Sequence, residues 1–209
     1  EYLKKHKLTQ RPKPRPSTVG EHFWVNDDTT RGSSYYELAD AFLEHTKRHL
    51  TCTSMASYAL NVTGHSITSK VLFISDNEEP DYLRDGLLYG MKKVLGDQLW
   101  EFKCISHIRN ERNLKFGDNG KWGLNFGITG RLFGTNCISG TSSDLQSMIS
   151  NGDFAAVVYG SITRSATLID FVHSYIRPKD VLIFVGEDYS IDDAFLQKWS
   201  RYGQVFYRE

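Results

Sequence analysis

Long apolar runs are missing from this sequence, and so is any surplus of charge of one sign. No stretch approaches the ~20 consecutive apolar residues that span a bilayer, and no signal peptide is expected. Lys+Arg and Asp+Glu both number 25, so the formal net charge is zero. A neutral chain lacks the electrostatic footprint of a general nucleic-acid binder. Cysteine is scarce too: Cys52, Cys104 and Cys137 are odd in number and far apart. That pattern is neither a metal cluster nor a disulfide framework, and it fits a reducing cytosol, so a cytoplasmic location is expected. Asn61-Val62-Thr63 matches a glycosylation sequon, but nothing else suggests secretion.

Several site motifs are also missing. There is no G-x-x-x-x-G-K-[ST] phosphate loop, no G-x-G-x-x-G after a strand and no G-x-S-x-G nucleophile elbow. These absences count against phosphate-loop enzymes, standard dinucleotide sites and α/β-hydrolases. Phe73-Ile74-Ser75-Asp76-Asn77-Glu78 has the acidic opening of a response-regulator receiver. The strand that would carry the phosphoacceptor ends instead in Val158-Tyr159-Gly160.

What is present divides the chain. In residues 1–20, Lys4, Lys5, Lys7, Arg11, Lys13 and Arg15 interleave with Pro12, Pro14 and Pro16 as a basic, extended arm or linker. Residues 21–69 read as a strand–helix unit: a strand at His22–Val25, a helix from Ser34, and a returning strand over Leu50–Ser54. In that helix Ser34 and Glu37 form a capping box ahead of Leu38, Ala41, Phe42 and His45.

Residues 70–209 read as an α/β domain. Val71–Ile74, Phe154–Tyr159 and Val181–Val185 are short continuous apolar runs, the mark of strands covered on both faces. Leu99–Cys104 and Gln204–Tyr207 are further strands. Between them lie amphipathic helices, the clearest carrying Leu83, Leu87, Leu88, Met91, Val94 and Leu95 before Gly96. Strands alternating with helices predict a doubly wound, mainly parallel sheet in three layers, Rossmann-like or flavodoxin-like.

In such sheets ligands bind beyond the carboxyl ends of the strands. Asp76 and Glu78 follow the first apolar strand, Gly160, Ser161 and Arg164 the second, and Glu187 and Asp188 the third. Asp76 and Asp188 are the expected catalytic pair, as general base or as oxygen ligands of a divalent cation such as Mn or Mg. Gly160-Ser161 is expected to open a helix whose N–H groups receive phosphate, with Arg164 as a bidentate partner. Residues 105–140 form a long region rich in Gly, Asn and Arg, from which His107 and Arg131 are expected to contact substrate.

Four stretches, Lys70–Gly96, Thr129–Thr135 (TGRLFGT), Asp153–Ser165 (DFAAVVYGSITRS) and Val181–Asp188 (VLIFVGED), together resemble the amino-terminal α/β domain of bacterial and viral glycosyltransferases of surface-polysaccharide assembly. The resemblance covers about residues 70–209. It implies a Rossmann-like half of an enzyme that moves a sugar from a nucleotide-sugar donor to a glycan acceptor. Further domains of a longer polypeptide are expected, and the first residue, Glu rather than Met, agrees with that expectation. On this reading Arg164 or Arg131 steadies the diphosphate. The alternative is a non-catalytic α/β module that docks a partner within a larger protein. An enzyme acting on some other phosphorylated or nucleotide ligand is a third reading.

Overall fold

The computed structural model describes residues 33–76, 81–109, 132, 134, 136–186 and 192–207. The chain divides into two units, Glu1–Leu50 and Thr51–Glu209. The basic arm and the strand expected at His22–Val25 lie outside the described residues.

In the first unit, helix α1 (Ser33–His49) forms where the periodicity predicts it. Lys47, Arg48 and His49 occupy its last turn, where cations complement the helix dipole. Glu44 pairs with Lys47 at 3.0 Å on its exposed surface.

The second unit begins with a correction. The strand expected over Leu50–Ser54 is instead the start of helix α2 (Cys52–Val62). Thr51 caps it, its hydroxyl accepting from the Ser54 N–H at 3.0 Å. A threonine oxygen at that position satisfies a donor the first helical turn leaves open, which favours helix over strand.

Six parallel strands follow: β1 (Val71–Ile74), β2 (Leu99–Phe102), β3 (Asn136–Ile138), β4 (Ala156–Tyr159), β5 (Val181–Val185) and β6 (Gln204–Tyr207). Their order across the sheet is β3-β2-β1-β4-β5-β6. The winding reverses between β1 and β4. β3 lies inside the stretch read as irregular from the sequence.

Alternation of side chains along each strand feeds two cores. Val71 and Phe73, Ala156 and Val158, and Leu182 and Phe184 face α2 and α3 (Tyr82–Leu95). Leu72 and Ile74, Val157 and Tyr159, and Val181, Ile183 and Val185 face the opposite layer. That layer holds α4 (Ser142–Ser150), α5 (Ile169–Tyr175) and α6 (Asp193–Ser200). Burial on both faces is why these strands read as unbroken apolar runs. The sheet is therefore doubly wound and three-layered, as predicted.

Helix α2 completes the layer shared with α3. Ala56, Ala59 and Leu60 are buried against the sheet, and Tyr58 meets Phe206 of β6 edge-on at 6.5 Å. The two helices cross closely at Gly90 of α3, where a Cβ would lie 2.0 Å from the Cys52 carbonyl oxygen. Only glycine fits there.

Two turns meet at the amino edge of the sheet. His65, ahead of β1, has a side chain only 7% exposed, and its Nε2 lies 3.7 Å from the Asp180 carboxylate ahead of β5 with no hydrogen-bond partner. Burial holds the His65 pKa below its usual value. The Asp180 charge opposes that shift, and Lys179 and Arg177 add to it. The unfolded chain therefore takes up this proton near pH 6.5, while the folded chain resists it until lower pH. His65 thus leaves stability intact above pH ~6.5 and costs stability as pH falls below it. Urea unfolding is expected to give a lower free energy at pH 5 than at pH 7.5, with a smaller decline in His65→Gln. An equal decline in both proteins would refute this assignment.

Candidate functional site

The reversal of strand order puts the carboxyl ends of β1 and β4 side by side, and in open α/β sheets that gap is where ligands bind. Asp76 stands two residues past β1 and Asp81 caps α3, its Oδ1 accepting from the Arg84 N–H at 3.0 Å. Gly160 and Ser161 follow β4 directly.

Two polar bridges cross this gap. The Thr167 hydroxyl donates to Asp76 Oδ2, and the Arg164 guanidinium meets Asp81 Oδ2 at 2.8 Å. Thr167 is itself positioned from β4: the Tyr159 hydroxyl donates to the Thr167 carbonyl at 2.9 Å. Burial, and secondarily the Asp170 charge, push the Tyr159 pKa far up, so this hydroxyl remains a donor. A third contact comes from β2, whose following residue Lys103 pairs with Asp76 Oδ1. Lys103 holds a left-handed backbone, φ 55°, a conformation that costs a non-glycine residue about 1–2 kcal/mol. Its side chain remains half exposed, while that of Asp76 is one-fifth exposed.

Behind the rim lies a buried polar layer. Glu101 of β2, with no exposure, receives Arg109 at 2.6 Å, the Ile105 N–H at 2.7 Å and the Ser75 hydroxyl at 3.2 Å. Asp85 of α3, equally buried, receives both Nε and Nη2 of Arg84 and lies 2.6 Å from His107 Nε2. These pairs hold the start of the segment after β2 against α3 and the sheet. Ile105, Ile108 and Leu132 are buried in the core beside them, and the Leu132 N–H donates to the Ile108 carbonyl at 2.8 Å. The two ends of the 105–135 segment are therefore joined at its base.

Cysteine placement differs from the sequence expectation. Cys104 and Cys137 are bonded to each other, their Cα atoms 5.9 Å apart. Parallel pairing of β2 with β3 brings together two residues that the sequence separates by 33 positions. Cys52 is free.

Of the residues nominated from sequence, Asp76, Gly160, Ser161 and Arg164 share the β1–β4 rim. His107 belongs to the buried layer, on Asp85. Glu78, Arg131, Glu187 and Asp188 lie outside the described residues. One expectation is corrected: Gly160-Ser161 opens no helix. Residues 162–164 form a turn, with the Arg164 and Ser165 N–H groups returning to the Ser161 carbonyl, and α5 starts only at Ile169. Gly160 has a packing reason instead, because a Cβ there would lie 2.4 Å from the Phe73 ring and 2.7 Å from Arg84 Cγ. Lys103 and Thr167 were not nominated. Lys103 fell inside the strand expected over Leu99–Cys104, which ends at Phe102, and no local signal marks Thr167.

A six-stranded parallel sheet in this order, flanked by helices and with polar residues gathered at its reversal, defines a Rossmann-like α/β domain. No protein family, curated protein or solved structure matches the chain. Among the described residues no helix is long and apolar enough to cross a membrane.

Proposed function

We propose that residues 51–209 bind the diphosphate of a nucleotide sugar at the β1–β4 reversal and act as one domain of a glycosyltransferase delivering that sugar to a glycan acceptor. The observation that carries this reading is the pair of cations, Lys103 and Arg164, on either side of a reversal point with Asp76 between them. Each cation is held by a carboxylate. A diphosphate brings more charge than a carboxylate does and competes for both. Asp76, released from Lys103, then serves as base or as a ligand to Mn or Mg. Positive charge already in place on the departing diphosphate lowers the barrier to transfer. The four stretches that resemble surface-polysaccharide glycosyltransferases support the sugar-transfer class.

A thermal-shift panel of nucleoside diphosphates and nucleotide sugars, with and without Mn²⁺, tests it. At ligand concentrations about 100-fold above Kd, one nucleotide series is expected to raise Tm by about 5–10 °C. Lys103→Ala and Arg164→Ala are each expected to abolish most of that rise. A flat response across the panel would sink the proposal. It would favour the second reading, a non-catalytic binding module, which the pairing of Asp76 with Lys103 and of Arg164 with Asp81 already suits.

A further inference from the structure

We propose that the Cys104–Cys137 bond is a reversible thiol–disulfide switch at the base of the segment between β2 and β3. Three observations lead there. The first is access: Cys137 is exposed on a three-residue edge strand, so an external thiolate can reach its sulfur. The second is that the reduced state is also accommodated. The Glu101 carbonyl lies 3.9 Å from Cys104 Sγ and the Ser139 hydroxyl 3.4 Å from Cys137 Sγ, so each thiol has a polar neighbour at hand once the two sulfurs part. The third is position. Cys104 directly follows Lys103, whose N–H reaches the Ile138 carbonyl of β3 at a long 3.4 Å. The bond therefore fastens the left-handed turn that presents Lys103 to Asp76.

The chemistry balances with an external disulfide, R–S–S–R, as oxidant. The Cys137 thiolate attacks one sulfur of R–S–S–R and releases R–S⁻, leaving a mixed disulfide. The Cys104 thiolate then attacks Cys137 Sγ and releases the second R–S⁻. The two cysteines lose two electrons, and their two protons leave on two molecules of R–SH. Reduction runs the same steps backwards. Cys52 stays out of the exchange, because burial on α2 raises its thiol pKa and keeps the thiolate scarce.

Reduction loosens β3 and the Lys103 turn and leaves the rest of the sheet intact. Its effect on ligand affinity rests on the nucleotide reading above, whereas the switch itself does not. The test equilibrates the full chain in glutathione buffers from fully reduced to fully oxidised. Thiol trapping with mass spectrometry counts free cysteines, and hydrogen exchange reads the backbone. Two thiols are expected to disappear together as glutathione disulfide rises and to return on reduction, with Cys52 labelled throughout. The reduced protein is expected to lose amide protection at 103–105 and 136–138 while β4 and β5 keep theirs. Cys137→Ser is expected to show the reduced pattern in every buffer. The proposal is overturned if all three thiols stay free in the oxidised buffer, if Cys52 enters the bond, or if exchange at those residues is the same in both states. A flat nucleotide panel leaves these readouts unchanged and counts only against the crevice reading.

Discussion

Gly90→Ala is expected to lower the unfolding free energy by about 3 kcal/mol, the upper range for overpacking a tight contact. The usual effect has the opposite sign, since alanine in place of glycine favours a helix interior by about 1 kcal/mol. Here the new Cβ would lie 2.0 Å from the Cys52 carbonyl oxygen, 2.5 Å from its carbon and 3.2 Å from Ala56 Cβ. The first two are backbone atoms and cannot rotate away, so α2 has to shift off α3. Gly86, one turn earlier on the same helix, faces only the Cys52 sulfur at 3.3 Å and is expected to accept alanine almost neutrally. Thermal unfolding followed by circular dichroism is expected to show Gly90→Ala melting about 6–12 °C lower. A melting point equal to or above that of the parent would show that the two helices are not in this contact.

Asp85→Ala is expected to cost about 3–5 kcal/mol, the loss seen when one partner of a buried ion pair is removed. Asp85 is fully buried, and Arg84, whose two nitrogens it binds, is 2% exposed. Truncation removes the Asp85 carboxylate from that buried guanidinium and takes the 2.6 Å partner from His107. Asp85→Asn keeps the shape, loses the charge, and is expected to fall between parent and alanine. The exposed Glu44, paired with Lys47, is expected to cost under about 1 kcal/mol on the same truncation. Urea denaturation of the three variants checks the ranking. A loss within 1 kcal/mol for Asp85→Ala would refute the buried charge cluster.

What the sequence disclosed followed from how strongly each element depends on burial. β1, β4 and β5 are covered on both faces, so their composition alone identifies them. β3 is Asn-Cys-Ile with one buried side chain, and nothing in three such residues separates it from a loop. The start of α2 was read as strand because two of the helix's three buried residues are Ala56 and Ala59, small residues that barely register as an apolar stripe. At the site, Asp76 was legible because it stands two residues past a strand that could not be mistaken. Lys103 was hidden by a strand end placed two residues late, at Cys104 rather than Phe102. Thr167 was hidden because a tertiary contact, the Tyr159 hydroxyl, sets its position. The Cys104–Cys137 pair was illegible for a related reason, since it depends on which strands become neighbours.

The Asp81 carboxylate divides its labour between its two oxygens. Oδ1 finishes the helix that begins beside it, and Oδ2 reaches across the gap to Arg164. A guest that draws Arg164 away thus breaks only the outer contact and leaves the first turn of α3 closed. The doorway can swing without loosening the post on which it hangs.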